Sequence, residues 1–339
     1  MTRYPMEFIQ DYGLFLAKTL TLLLVALLLL GVFAALMSRG RDREREDLTV
    51  KRLNDRYRDM EHTLRQGILG RRGGRRLIRQ FKRENKQADK ERDENRARVF
   101  VLRFHGDIRA SHVENLRQEI TAVLTQVRPE TDRAVVCLDS GGGLVASYGL
   151  AAAQLARLRD KGVDLTIAVD RIAASGGYLM AAVANRIVAA PFAVVGSIGV
   201  VAQIPNINRM LRRHDVDIEL HTAGEYKRTL TVLGENTPEG REKFRQELEE
   251  THRLFKVYLK RYRPALDLDR LATGEHWYGE QALPLGLVDE LRTSDDLLMD
   301  LSREFDLYEI RYRKRQPLSR RITLAVESAV ERLLWRDSV

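Results

Sequence analysis

Ser175 is the residue of this 339-residue chain best suited to act as a nucleophile. It lies in Ile172–Ala184 (IAASGGYLMAAVA), where an apolar strand ends near Asp170 and a helical run begins. Gly176 and Gly177 leave the approach to its hydroxyl open. A hydroxyl at a helix start faces free N–H groups and the positive end of the peptide dipoles, which together stabilise negative charge. Acyl transfer needs that environment, because an oxyanion develops beside the nucleophile. The N–H of Gly176 is one natural donor. The fragment by itself also fits a plain N-cap serine.

A second fragment, Leu138–Gly149 (LDSGGGLVASYG), places three glycines between a strand and a helix. The spacing of a phosphate-binding loop is absent. Glycines at such a turn expose backbone N–H groups, so Gly142 or Gly143 is a candidate second oxyanion donor. A turn shaped for close helix–strand packing would read the same way. A serine nucleophile also needs a base. His214 and His221 are available by chain order, but one ends a basic stretch and the other a strand. Lys227, in HTAGEYKRTLT (His221–Thr231), has small or uncharged neighbours that would permit burial. Burial disfavours an ammonium ion and favours the neutral amine a base requires. An ordinary surface lysine remains the alternative. Neither paired Cys/His spacing nor HExxH is present, so nothing points to a metal.

The elements that must position these residues alternate. Strands are expected over Val99–Ile108, Ala134–Ser140, Asp164–Asp170, Asn185–Ala190 and Asp217–Leu220. Helices are expected over Val113–Val127, Leu144–Leu158, Ala174–Ala184 and Pro238–Tyr262. Short apolar strands alternating with helices predict an α/β core with buried parallel pairing. Ile187–Ile204 is apolar, but Arg186, Pro191, Gly196, Ser197, Gly199 and Gln203 mark it as buried core and not a membrane span. Cys137, the single cysteine, lies in the apolar run Ala134–Leu138 and reads as a small core residue.

Upstream the texture differs. Leu14–Met37 is interrupted only by Lys18, and about 20 apolar residues suffice to span a bilayer. The flank Met1–Asp11 carries Glu7 and Asp11 and no clean cleavage site precedes Ser38, so the run reads as an uncleaved anchor contacting lipid. The net charge is +9, and Arg39–Arg98 holds 21 Lys/Arg against 12 Asp/Glu while the rest is balanced. A basic excess confined beside an apolar run suits anionic headgroups and argues against nucleic acid as a partner. Leu48, Leu53, Met60, Leu64, Ile68 and Leu69 have loose helical spacing, so residues 38–97 read as a charged helical stalk and linker. The expected organisation is a flank (1–13), an anchor (14–37), the stalk (38–97), a catalytic domain (98–312) and a basic, amphipathic tail (313–339) including Ile322–Trp335.

ASGGY (Ala174–Tyr178), PFAVVGSIGV (Pro191–Val200) and the AGEYKRTLT block together resemble the signal peptide peptidase A (protease IV) family of Ser–Lys serine peptidases. The resemblance covers about Arg98–Asp306 and the position of the anchor. It implies Ser175 as nucleophile, Lys227 as general base and Ser197, in GSIGV, as the serine that hydrogen-bonds the lysine. It implies oxyanion donors from the backbone of Gly142 and Gly176. The family turn often reads Asn-Ser-Pro-Gly-Gly, whereas Asp139–Gly143 lacks the proline. GEQALPLGLVDE (Gly279–Glu290) also matches and reads as structural.

The family fold is a crotonase-like, Clp-protease-like ββα spiral. The resemblance further implies a homo-oligomer with active sites at subunit interfaces, and Lys227 reaching Ser175 from a neighbouring protomer. No metal, nucleotide or other cofactor is implied. Apolar peptides, such as signal-peptide remnants or damaged membrane proteins, are the expected substrates. The competing readings are a crotonase-type acyl-CoA enzyme and an inactive membrane scaffold. The basic flank Arg39–Lys51 places the catalytic domain on the cytoplasmic side by the positive-inside rule, whereas the family places it outside the cytoplasm, at a bacterial inner membrane.

Overall fold

The computed structural model describes residues 13–26, 31, 46–68, 96–224 and 226–314. The chain divides into two compact units, Leu48–Tyr312 and a smaller one made of Met1–Asp47 and Arg313–Val339. In the smaller unit residues 13–26 are helical. Among the described residues no helix is long and apolar enough to cross a membrane. Most of the expected anchor beyond residue 26, the linker over 69–95 and the tail beyond Lys314 lie outside the described residues.

The larger unit is built on one sheet. Its strands are β1 (Glu46–Arg52), β2 (Arg98–Gly106), β3 (Arg133–Ser140), β4 (Asp164–Val169), β5 (Ile172–Ala174), β6 (Arg186–Ala189), β7 (Val194–Gly196), β8 (His276–Tyr278), β9 (Glu290–Leu291) and β10 (Asp306–Lys314). The main order is β1-β10-β2-β3-β4-β6-β9. The pairs from β10 through β9 are parallel. A side ladder branches off β3, with β5 parallel to β3 and to β7, and β8 antiparallel to β7. Thus β4 then β5, and β6 then β7, each run one long strand in the main sheet and one short strand in the ladder. Strands joined by helices in this order make an α/β core with mainly parallel pairing.

The expected helices at Val113–Leu124, Val145–Asp160 and Pro238–Tyr262 are present. Their apolar faces join the main cluster around Leu102, Phe104, Leu138, Leu155 and Ile167 on one side of the sheet. The other side, with Val99, Val101, Val135 and Cys137, packs on Leu53 and the helix Ser294–Glu304. Burial pushes the Cys137 thiol up to about 11, as a core cysteine requires.

Three expectations differ from the structure. Asp217–Leu220 forms no strand; Ile218 and Leu220 are exposed and lack a partner strand. Ile187–Ile204 is core only in its first part, since Ile187, Val195 and Ile198 are buried whereas Val201 is 91% exposed. Residues 46–68 are not a free stalk. They form edge strand β1 and a helix over 53–68 whose Leu53 is buried in the second cluster. The charges of β10 mask its strand character in the sequence, although Leu307, Ile310 and Tyr312 are buried, as are Asp306 and Glu309.

Candidate active site

The site forms where β3, β5 and β7 end side by side. Ser140 is paired with Ala173, and Ala174 is paired with Gly196. Ser175 and Ser197 are the next residues of two adjacent parallel strands, so the ladder delivers them together. The N–H of Ser175 donates to the carbonyl of Gly196 at 2.8 Å, one step beyond the ladder. The N–H of Ser197 donates to the carbonyl of Glu275 at 2.7 Å.

Both serines hold backbone that L-residues seldom adopt. Ser175 has φ 52° and ψ −119°, and Ser197 has φ 51°. Only Ala110 and Asp215 share positive φ among the described non-glycine residues. Such conformations cost on the order of 1–3 kcal/mol and persist where surrounding bonds over-determine them. Here the bonds to Gly196 and Glu275 do so. The helix after Ser175 is shorter than expected, Gly176–Ala181. Six residues give a weak dipole, so the local N–H groups matter more than the helix field.

The glycine turn presses on the nucleophile. Gly142 has φ 87°, and a Cβ there would lie 2.6 Å from the Gly176 nitrogen and 2.9 Å from the Ser175 Cβ. The two backbone segments expected to supply oxyanion donors are therefore in contact. The N–H of Gly142 donates to the Ser140 Oγ at 3.1 Å. The next N–H, of Gly143, has no acceptor among the described residues, while the carbonyl of Ile108 accepts from Leu144 at 2.8 Å beside it.

Ser140 and Tyr148 were not singled out from the sequence, although both stand in the glycine-rich fragment. Each is almost fully buried. The Ser140 Oγ and Tyr148 hydroxyl are 2.6 Å apart, and Tyr148 donates to the carbonyl of Asp107 at 2.7 Å. The available signal was polar residues flanking a glycine turn in an otherwise apolar setting.

Among the described residues, Lys227 is not brought to Ser175 by any contact. It is exposed, and among the described residues its side chain has no hydrogen-bond or ion-pair partner. Its N–H donates to the carbonyl of Gly224 at 3.2 Å. The described residues thus do not supply the burial a neutral amine needs. The surrounding segment exposes Val201, Met210, Leu220, Tyr226 and Leu233. His214 and His221 are exposed as well, and His221 lies 3.3 Å from Glu219. No group of three or more potential metal ligands occurs among the described residues.

Residues 7–155 match the peptidase family S49 N-terminal model, and residues 157–307 match the peptidase family S49 model. The chain is 46% identical to a probable protease SohB of Haemophilus influenzae, over 98% of this chain and 97% of that one. It is 43% identical to a probable protease SohB of Buchnera aphidicola subsp. Acyrthosiphon pisum, covering 95% of each. Among solved structures, a mutant of the 1510-N membrane-bound stomatin-specific protease in complex with a substrate peptide aligns with TM-score 0.35 at 13% identity. That alignment covers 61% of this chain and 80% of the other.

Proposed function

The chain belongs to peptidase family S49 and is of the SohB type, and on that premise we propose a serine endopeptidase with Ser175 as nucleophile and Lys227 as general base. The neutral amine of Lys227, held by the Ser197 hydroxyl, takes the Ser175 proton as its Oγ attacks a peptide carbonyl. The tetrahedral oxyanion is held by the N–H of Gly176 and by an N–H of the glycine turn, from Gly142 or Gly143. The protonated amine then protonates the leaving nitrogen. Water, deprotonated by the same amine, releases the acyl group and regenerates Ser175. Neither metal nor cofactor takes part in this reaction.

The observation that carries this reading is the pairing of Ala174 with Gly196, from which Ser175 and Ser197 emerge together with positive φ. The exposure of Lys227 among exposed apolar side chains supports its delivery to Ser175 of a neighbouring copy. The protein is thus a homo-oligomer whose sites form at subunit interfaces. The apolar run Leu14–Met37 anchors it to a bacterial inner membrane, consistent with apolar peptides from exported or damaged membrane proteins as substrates. A reporter fused after Val339 tests the cytoplasmic side favoured by the positive-inside rule.

The deciding experiment compares hydrolysis of casein and a leucine-rich fluorogenic peptide by the parent, Ser175→Ala and Lys227→Ala, each with assembly checked. Activity in the parent and loss in both variants is expected. Equal activity in all three overturns the assignment. Mixing the two variants under conditions that exchange subunits should restore part of the activity; no recovery in demonstrably mixed oligomers places Lys227 in the same chain as its serine.

A further inference from the structure

Remote from Ser175, the helix over 53–68, the helix Ser294–Glu304 and Arg96 enclose a cavity of about 520 Å³. That volume is within the range of small-molecule sites. Four arginines line it: Arg52, Arg58, Arg96 and Arg303. The lining carboxylate, Glu61, is already paired with Arg65 at 2.5 Å.

The local carboxylates do not match the guanidiniums. Asp306 is shared by Arg52 at 2.7 Å and Arg96 at 3.4 Å. Asp55 is shared by Arg52 and Arg58. Three guanidiniums therefore rest on two carboxylates. Arg303 reaches Asp300 only at 3.5 Å, and Asp300 also pairs with Arg292. The Nε–H groups of Arg52 and Arg58 are buried without an acceptor. A buried donor left unmade costs roughly 1–3 kcal/mol, and more when charged. Among the described residues, guanidiniums thus outnumber carboxylates around this cavity and two of their donors lack an acceptor, which suits an anion.

We propose that this cavity binds a phosphate-bearing group, gripped by Arg58, Arg96 and Arg303 toward its open side with Arg52 behind them. The side chains of Arg52, Arg58, Arg96 and Arg303 are 12%, 32%, 37% and 72% exposed, which sets that order from floor to rim. The inner edges of the guanidiniums already hold the two carboxylates. A phosphate presents several oxygens to several planar forks at once, which one carboxylate does not. The source favoured by the sequence is a phospholipid headgroup. The apolar run ends at Met37, fifteen residues before Arg52, and the basic excess of the chain is concentrated in Arg39–Arg98. A soluble phosphoester has the same chemistry.

Isothermal titration calorimetry on the full chain in neutral detergent, at fixed ionic strength, tests this. The probes are sn-glycerol 3-phosphate and dihexanoyl phosphatidylglycerol below its micelle concentration. Saturable binding at one site per chain is expected for the lipid. Arg58→Gln/Arg303→Gln should weaken it at least tenfold, and Arg303→Gln alone, at an exposed rim position, about threefold. Arg171→Gln, outside the cavity, should bind as the parent does. Binding of the lipid alone identifies a headgroup site, and equal binding of both probes a general phosphoester site; either supports the proposal. No saturable heat with either probe, or undiminished binding in the rim variants with unchanged melting temperature, overturns it.

Discussion

The Ser140 Oγ lies 2.6 Å from the Tyr148 hydroxyl and accepts the Gly142 N–H at 3.1 Å, so one buried pair fixes the turn that abuts Ser175. Tyr148 is anchored in turn to the carbonyl of Asp107. The strand opposite leaves room for the pair, since a Cβ on Gly106 would sit 2.1 Å from the Ser140 Oγ. Ser140 touches no reacting atom in this scheme; it positions the turn. Ser140→Ala and Tyr148→Phe should each lower kcat about tenfold with KM nearly unchanged, because a turn that holds an oxyanion donor acts on the transition state. A rise in KM at constant kcat would assign the pair to substrate binding instead.

Gly142→Ala should be more severe. The new Cβ meets backbone and the Ser175 Cβ, neither of which is a flexible tip, and φ 87° adds strain. Activity is expected to fall by about 100-fold or more, the scale of losing an oxyanion donor. Circular dichroism and oligomer size should remain those of the parent, because the turn lies outside both apolar clusters. Parental turnover would show that the turn does not shape the site.

Glu119 gives the protein a pH-dependent stability. It is buried on the Val113–Leu124 helix and accepts the Tyr312 N–H of β10 at 2.9 Å. Burial raises its carboxyl to about 7; the Tyr312 hydrogen bond, His112 and Arg311 pull the other way, and Glu309 adds to the rise. An acid raised on folding binds its proton more tightly in the folded state. Its stabilising effect is complete below the ordinary glutamate value of 4.5 and is lost as pH rises through about 7. Glu119→Gln keeps an acceptor for Tyr312 without the charge. It should melt higher than the parent at pH 8 and match it near pH 4, with each kcal/mol worth roughly 2–4 °C. Equal melting temperatures at pH 8 would remove Glu119 as the cause.

Asp132 acts in the opposite sense. Its side chain is buried and accepts from Arg98 and Arg128, through their guanidiniums and through both backbone N–H groups. Burial alone would raise its carboxyl, but the hydrogen bonds from the two arginines outweigh it and hold it at about 2. Its contribution is therefore present above the ordinary aspartate value of 3.8 and lost as pH falls through about 2. Asp132→Ala leaves two guanidiniums without their carboxylate and should cost about 3–5 kcal/mol in urea unfolding at pH 7. A loss under about 1 kcal/mol would mean that water replaces the carboxylate.

The amino-acid sequence by itself determined the α/β alternation, the glycine turn, Ser175 as the candidate nucleophile and the resemblance that singles out Lys227 and Ser197. These are legible because each is carried by a short contiguous stretch: strand periodicity, a glycine run, a serine at a helix start. Tertiary structure decided the rest. β5, β7 and β8 each span three residues, too short for any periodicity, yet their pairing is what sets Ser197 beside Ser175. Ser140, Tyr148 and Asp107 meet through a buried hydrogen-bond chain that no spacing rule announces. Residues 46–68 kept a helical spacing in the sequence, but Met60, Leu64 and Ile68 are exposed and Leu53 alone is buried, so periodicity gave the helix without its packing. Lys227 depended on its chain neighbours for a burial that the described residues do not provide. Local pattern fixes how backbone is shaped, whereas the pairing of distant strands fixes which side chains share a site.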